Sequence, residues 1–244
     1  MIASYLRGVF SYLDAFAYIS KHNLTRYYWY CGVIGIVILI ALYGVSSIVS
    51  PPLASFLLSF FDYESEWATK LSSFVVKAVI IVFLFIIYKY FVLIATSPLM
   101  SKLSEDIESN MDGDHISIPF SLKKAVSDVI RSLRLSLRNV FRELLYTFLI
   151  FIIGLFPIFT IATTPFIFLI QAYFAGFGNM DFYLERYLNT KETIIYVGEN
   201  KFFATGNGTP YMLLLAVPVI GVFFAPVLGT ASATLEVHKQ RSLE

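Results

Sequence analysis

The chain alternates long apolar runs with short polar breaks, and run length decides what each can be. A helix crossing a hydrocarbon core of ~30 Å needs about 20 apolar residues. Two runs meet this, at 27–50 and 74–97. The first opens on Tyr27, Tyr28, Trp29 and Tyr30, an aromatic belt suited to a membrane interface. Pro51-Pro52 is expected to stop it. The second is rich in Phe and Ile and loses its apolar character near Pro98. Its helical pattern continues to about 108, into water.

Two other segments alternate at helical spacing. In residues 1–26, Leu6, Phe10, Leu13, Ala17 and Tyr18 recur along one stripe. The pattern predicts an amphipathic helix that either lies in the membrane interface or packs on the bundle. Arg7, Asp14 and Lys21 interrupt the run, so it is not a secretory signal. Residues 121–143 carry Arg131, Arg134, Arg138 and Arg142 in one row, with Val126, Ile130, Leu133, Leu137 and Phe141 in another. Pro119 and Ser121 suit a helix start. Such a basic amphipathic helix fits an anionic membrane surface or a solvated face against the protein.

The C-terminal half holds two odd apolar stretches, at 144–177 and 209–235. Each contains two prolines eight positions apart, Pro157 with Pro165 and Pro218 with Pro226. Phe156-Pro157-Ile158-Phe159 parallels Val217-Pro218-Val219-Ile220, which suggests a weak internal repeat. Two crossings with a turn need roughly 40 residues, and neither stretch is that long. A single crossing would run through two prolines, each removing a helical hydrogen bond. A re-entrant hairpin that turns between its prolines fits both limits, provided the turn is buried in protein or lines a wet cavity. Thr160, Thr163 and Thr164 are placed to satisfy the first turn, and Gly221 to permit the second. The expected fold is an all-α integral membrane protein. It combines two long transmembrane helices, two half-penetrating hairpins and amphipathic interfacial helices, with a cytoplasmic helix and loop at 178–208.

Composition agrees. Of 244 residues, 57% are hydrophobic and 14% charged, and mean hydropathy is +0.72. A soluble globule cannot cover so much apolar surface. Net charge is +1, which gives no reason to expect a nucleic-acid partner. Lone Cys31 allows no internal disulfide and no thiolate zinc site. No phosphate-binding glycine loop or catalytic constellation is present, so neither a cofactor nor enzymatic chemistry is expected. Basic residues flank the two-span unit (Arg7, Lys21 and Arg26 before it, Lys102, Lys123 and Lys124 after), with Asp62, Glu64 and Glu66 between the spans. The positive-inside rule then places both termini in the cytoplasm. The slightly acidic 178–208 segment also permits ordinary spans with that loop outside.

Lys77 and Lys89 fall within the second apolar run, where snorkelling competes with a functional role. Asp181 and Glu185 share one helix face, with Arg186 beside them. They are expected to form a polar network with arginines of the preceding helix. Gly206-Asn207-Gly208 reads as a turn before the second hairpin.

In this order and spacing, Leu24 to Arg26, Ser97-Pro98 followed by Leu103 to Glu108, the two proline pairs, and Asp181-Phe182 make the chain resemble the CysZ-type sulfate permease family, an etoposide-induced-protein-like membrane domain. The resemblance implies two long spanning helices and two half-penetrating hairpins in the inner membrane. It also implies a homo-oligomer and uptake of sulfate, or a related oxyanion, for cysteine synthesis. The family element Gly-Leu-Arg-Arg reads here Asn23-Leu24-Thr25-Arg26, so one arginine is lost. Asn tolerates the left-handed backbone, which preserves the turn. Asn23, Leu24, Thr25 and Arg26, at a helix N-terminus, are the expected anion site, or else an anchor to lipid phosphate. Pro157, Pro165, Pro218 and Pro226 are expected to shape the path. The alternative is a membrane scaffold or assembly factor that shares the fold and transports nothing.

Overall fold

A computed structural model describes residues 1–59, 66–113, 122–154 and 157–242, which form eight helices and no strand. Helix α1 (Ile2–Lys21) buries Gly8, Ser11, Tyr12, Ala15 and Ile19 against the bundle. Its opposite face leaves Ile2, Leu6, Phe10 and Leu13 exposed. The stripe expected from spacing is thus mainly the outward face, and a second, small-residue stripe does the packing. At its C-terminus Asn23 adopts φ 58°, and the Leu24 N–H donates to the Ile19 carbonyl at 3.0 Å. Leu24 and Ile19 are both buried, which completes a left-handed helix stop of the Schellman kind.

Helix α2 (Arg26–Ser59) does not stop at Pro51-Pro52 but runs through them. Two missing N–H groups cost two rungs of the ladder, and no competing turn residue follows to end the helix. Helix α3 (Glu66–Asp112) likewise passes Pro98. There the carbonyl that loses its partner, Ile94, accepts instead from the Ser97 hydroxyl at 2.8 Å.

Helix α4 (Leu122–Gly154) joins the basic amphipathic segment and the first arm of hairpin 1 into one rod, with no break at 144. The return arm is α5 (Pro157–Leu184). After a short α6 (Thr190–Glu199), closed by an Asn189–Glu192 capping box, α7 (Lys201–Leu215) and α8 (Pro218–Arg241) form hairpin 2. No turn therefore lies between the prolines of either pair, since α5 and α8 run on through both intervals, and the hairpin 2 turn precedes Pro218. The reason is that a proline at the first helical position gives up an N–H the helix does not use. Pro165 and Pro226 sit inside α5 and α8. Gly221 matters as a contact: a Cβ there would stand 2.1 Å from the Leu214 carbonyl oxygen of the other arm. The expected turn at Gly206-Asn207-Gly208 is the buried middle of α7.

Those small residues let the two hairpins meet. A Cβ on Gly176 would lie 1.8 Å from the Ala204 carbonyl oxygen, and one on Gly208 would lie 1.7 Å from that of Ala172. The α5 and α7 backbones touch through small residues four apart, the packing that membrane helices favour. Beside this contact, Asn179 donates to the fully buried Asn207 side chain at 2.8 Å, and Asn207 donates to Ser232 at 2.9 Å. Tyr12 donates to the Asn207 carbonyl at 2.8 Å, tying in α1.

Hairpin 2 packs on the first part of α2. Phe223 lies against Trp29 and would meet a Cβ on Gly32, while Val222 occupies the space beside Gly35. Helix α2 has 34 residues, about 51 Å, so Gly35 stands only about 14 Å from its start. Among the described residues two helices, Arg26–Phe56 and Ile220–Arg241, are long and apolar enough to cross a membrane. The first is 17% buried and the second 83%. An apolar face as open as that of α2 requires lipid or protein cover.

Gly208→Ala is expected to lower stability by about 1–3 kcal/mol through overpacking. Gly44→Ala, with nothing within 4 Å of the added carbon, should be neutral or stabilise by up to about 1 kcal/mol. Thermal unfolding in detergent compares the two.

Candidate functional site

Arg26 is the first residue of α2 and follows the left-handed Asn23. Leu24 is buried as the helix-stop contact, whereas Thr25 and Arg26 face outward. The Tyr27 and Tyr28 N–H groups already bond to the Leu24 and Thr25 carbonyls, at 3.2 and 3.1 Å. The helix start therefore offers fewer free donors than an open N-terminus. The Arg26 guanidinium is 3.1 Å from Asp106 of α3, which also accepts from Tyr27 at 2.8 Å and pairs with Lys102 at 3.1 Å. Glu105 takes a second contact from Lys102 at 3.1 Å. Two cations and two carboxylates thus balance here, and an anion reaching Arg26 must compete with Asp106.

A second polar cluster lies at the same end of the molecule, where α3, α4, α5 and α8 converge. Arg131 is 3.0 Å from Asp181 and 3.6 Å from Glu185, and donates to Thr193 at 2.9 Å and to the Leu188 carbonyl at 3.2 Å. Asp181, Glu185 and an arginine of the preceding helix therefore do come together. Ser101 donates to Glu185. Arg186 turns the other way, donating to Glu108 at 3.0 Å and to Ser104 at 2.9 Å. Burial pushes the Asp181 carboxyl up to about 6 against the opposing pull of Arg131.

Spacing alone did not reveal Glu108, Asp112, His238 and Arg241. His238 lies 3.1 Å from Asp112 and 3.7 Å from Glu108, and Tyr187 donates to Glu108. Arg241 stacks over Tyr187 at 3.9 Å. Glu108, Asp112 and His238 place three ligand-type atoms within 4.8 Å of one another, yet Arg186 already supplies positive charge to Glu108. The available signal was an i, i+4 acid pair ending α3, opposite a basic C-terminus on α8.

Several expected features stay apart from these clusters. Pro165 is exposed and Pro226 buried, each within its helix. The side chains of Pro157, Pro218, Thr160 and Lys89 lie outside those described. So do residues 60–65 and 114–121, with Asp62, Glu64, Pro119 and Ser121. Lys77 rests on the Tyr43 ring at 4.6 Å, in keeping with a snorkelling side chain. Three buried hydroxyls in the core, Tyr28, Tyr211 and Thr230, have no hydrogen-bond partner among the described residues.

Among the described residues the chain is all-helical, with two helices apolar enough for a bilayer and one of them largely uncovered, as suits a membrane protein. Residues 11–226 match the family described as Sulfate transporter CysZ/Etoposide-induced protein 2.4, and the chain belongs to it. No curated protein matches the sequence.

Arg131→Ala removes the cation beside the buried Asp181 carboxylate and should cost about 3–5 kcal/mol of stability. Loss of the folded signal at a lower Tm in detergent measures this. The Asp181 carboxyl titrates near 3.8 when unfolded and about 6 when folded, so it favours the folded state below the first value. That contribution is lost as pH rises through the second. Asp181→Asn should accordingly flatten a fall in Tm with rising pH between about 4 and 6.

Proposed function

We propose that the protein is a sulfate or related oxyanion permease of the cytoplasmic membrane, supplying sulfate for cysteine synthesis. Membership of the family supports transport rather than catalysis. One observation carries the membrane arrangement. Val222, five residues beyond the hairpin 2 turn, meets Gly35, about 14 Å into a helix about 51 Å long. The turn, at Val217, then stands about 21 Å along α2, short of its far end, which supports a segment that dips into the bilayer and returns. Hairpin 1 is fastened alongside it through the α5–α7 contact. Both termini, the Arg131 and Arg186 clusters and Arg26 then belong to the cytoplasmic side, consistent with the positive-inside rule.

Arg26 receives the anion in this reading, exchanging Asp106 for an oxyanion that its forked donors fit. The hydroxyls of Tyr28, Tyr211 and Thr230, without a hydrogen-bond partner among the described residues, supply donors deeper in, where dehydration must be offset. The four prolines shape the path by fixing where each hairpin turns and bends. On α4, Ile130, Leu133, Leu137 and Phe141 are exposed in one stripe above the level of Arg142. That stripe suits contact with a second copy, in line with a homo-oligomer. A second reading draws on the closed Arg26–Asp106 pair: a scaffold that keeps the fold without transport.

Labelled sulfate uptake into reconstituted liposomes separates the two. Flux above empty vesicles is expected, with Arg26→Ala raising KM about fivefold, the scale of one exposed charge. Asp106→Asn, which frees Arg26, should lower KM. Absence of flux for every oxyanion tried supports the scaffold. For topology, a cysteine replacing Asn189 in a Cys31→Ser background should react with an impermeant reagent from the cytoplasmic side alone. Labelling from outside overturns the re-entrant arrangement.

A further inference from the structure

An open groove of about 690 Å³ lies where α1, α4, α5 and α7 meet, outside both polar clusters. One wall is a stripe of α5, formed by Phe166, Leu169, Ile170, Tyr173 and Phe174. The spacing of these residues places them on one helical face, about 12 Å from end to end. Tyr146 of α4 and Tyr5 of α1 close the sides. Lys201, at the start of α7, brings a side-chain cation into this mainly apolar lining. Its amine lies over the Phe202 ring at 5.5 Å, and among the described residues no carboxylate stands within salt-bridge distance.

Depth sorts these groups. The antiparallel α5–α7 contact sets Ala172 beside Gly208 and Gly176 beside Ala204, so Phe166, six residues before Ala172, stands close to the level of the hairpin 2 turn. Lys201 is 15 residues before the hairpin 2 turn, about 22 Å away. The apolar end of the groove is therefore deep, and the cation stands where half a hydrocarbon core of about 15 Å gives way to headgroups. Arg138 and Arg142 of α4 lie near enough to Tyr173 of the stripe to act on it electrostatically. A long apolar trough with unpaired positive charge at its shallow end matches an amphiphile with one anionic head.

We propose that the groove is a binding site for one anionic phospholipid of the cytoplasmic leaflet, its acyl chain along the α5 stripe and its phosphate beside Lys201. The site rests on the re-entrant reading of the hairpins given above. A tail seated there covers the apolar face that α5 and α7 leave open beside their backbone contact. The headgroup supplies Lys201 with the anion that no described residue provides.

The test places a fluorescent reporter in the groove, Leu169→Trp in a Trp29→Phe, Trp67→Phe background. The protein is reconstituted in phosphatidylcholine vesicles holding a minor fraction of brominated phosphatidylglycerol or brominated phosphatidylcholine. Brominated phosphatidylglycerol should quench with an apparent association constant about fivefold higher, the scale of one lysine at a membrane surface. Lys201→Ala should bring the two lipids to parity. The same reporter at Ile40, on the exposed face of α2, should show no preference. Equal quenching by both lipids at Leu169 overturns the site. So does quenching by neither while Ile40 is quenched, which means a second copy covers the groove. A preference that survives Lys201→Ala overturns the place given to the phosphate. Quenching at Ile40 separates these outcomes from failure of the membrane reading, in which neither reporter responds.

Discussion

Two backbones in contact hold this molecule together. Helix α5 belongs to one hairpin and α7 to the other, and each presents small residues four apart, so carbonyl oxygens come within reach of glycine Cα atoms. In a bilayer, burial of apolar side chains gives helices little reason to associate, because lipid is as apolar as leucine. Close approach replaces that drive with dispersion and a buried amide pair, Asn179 and Asn207. From this seam the rest is placed: α1 across α7, α8 against α2 and α3, and the C-terminal ends of α3, α5 and α8 in one corner.

That corner concentrates charge under partial burial. Arg131 answers two carboxylates and Arg186 one, and Ser101, Ser104, Thr193 and Tyr187 add further bonds. Buried ion pairs of this sort add little net stability when complete and are costly when half removed. Their effect is to fix geometry. They lock α4 to the end of α5, and α5 to α3, so the hairpins cannot slide along the long helices. Arg26 and Asp106 repeat the arrangement at a more exposed place, where exchange with solvent anions is cheaper.

Much of the architecture was legible in the sequence, because it depends on run length. The long helix from Tyr27, the paired apolar stretches and the left-handed turn at Asn23 all follow from local rules. The hairpin turns were misplaced for a local reason too: proline was read as a breaker, yet at the first turn of a helix it is a starter. The triplet at 206–208 was read as a turn because glycine permits turns. Its actual use, backbone contact with α5, depends on a partner some thirty residues away. The same holds for Arg26, whose carboxylate lies eighty positions downstream on α3. Arg131 with Asp181 was legible in kind, since an acid pair beside an arginine row leaves few other partners. His238 was not, because nothing on α8 signals which carboxylates end α3.

One consequence of unequal lengths is mechanical. Beyond the reach of Val222 and Phe223, α2 has only α3 among the described residues to lean on. Two rods lying side by side are stiff within their shared plane and compliant across it. The far portion therefore behaves like a leaf spring clamped at one end, and deflections there leave the clamped corner undisturbed.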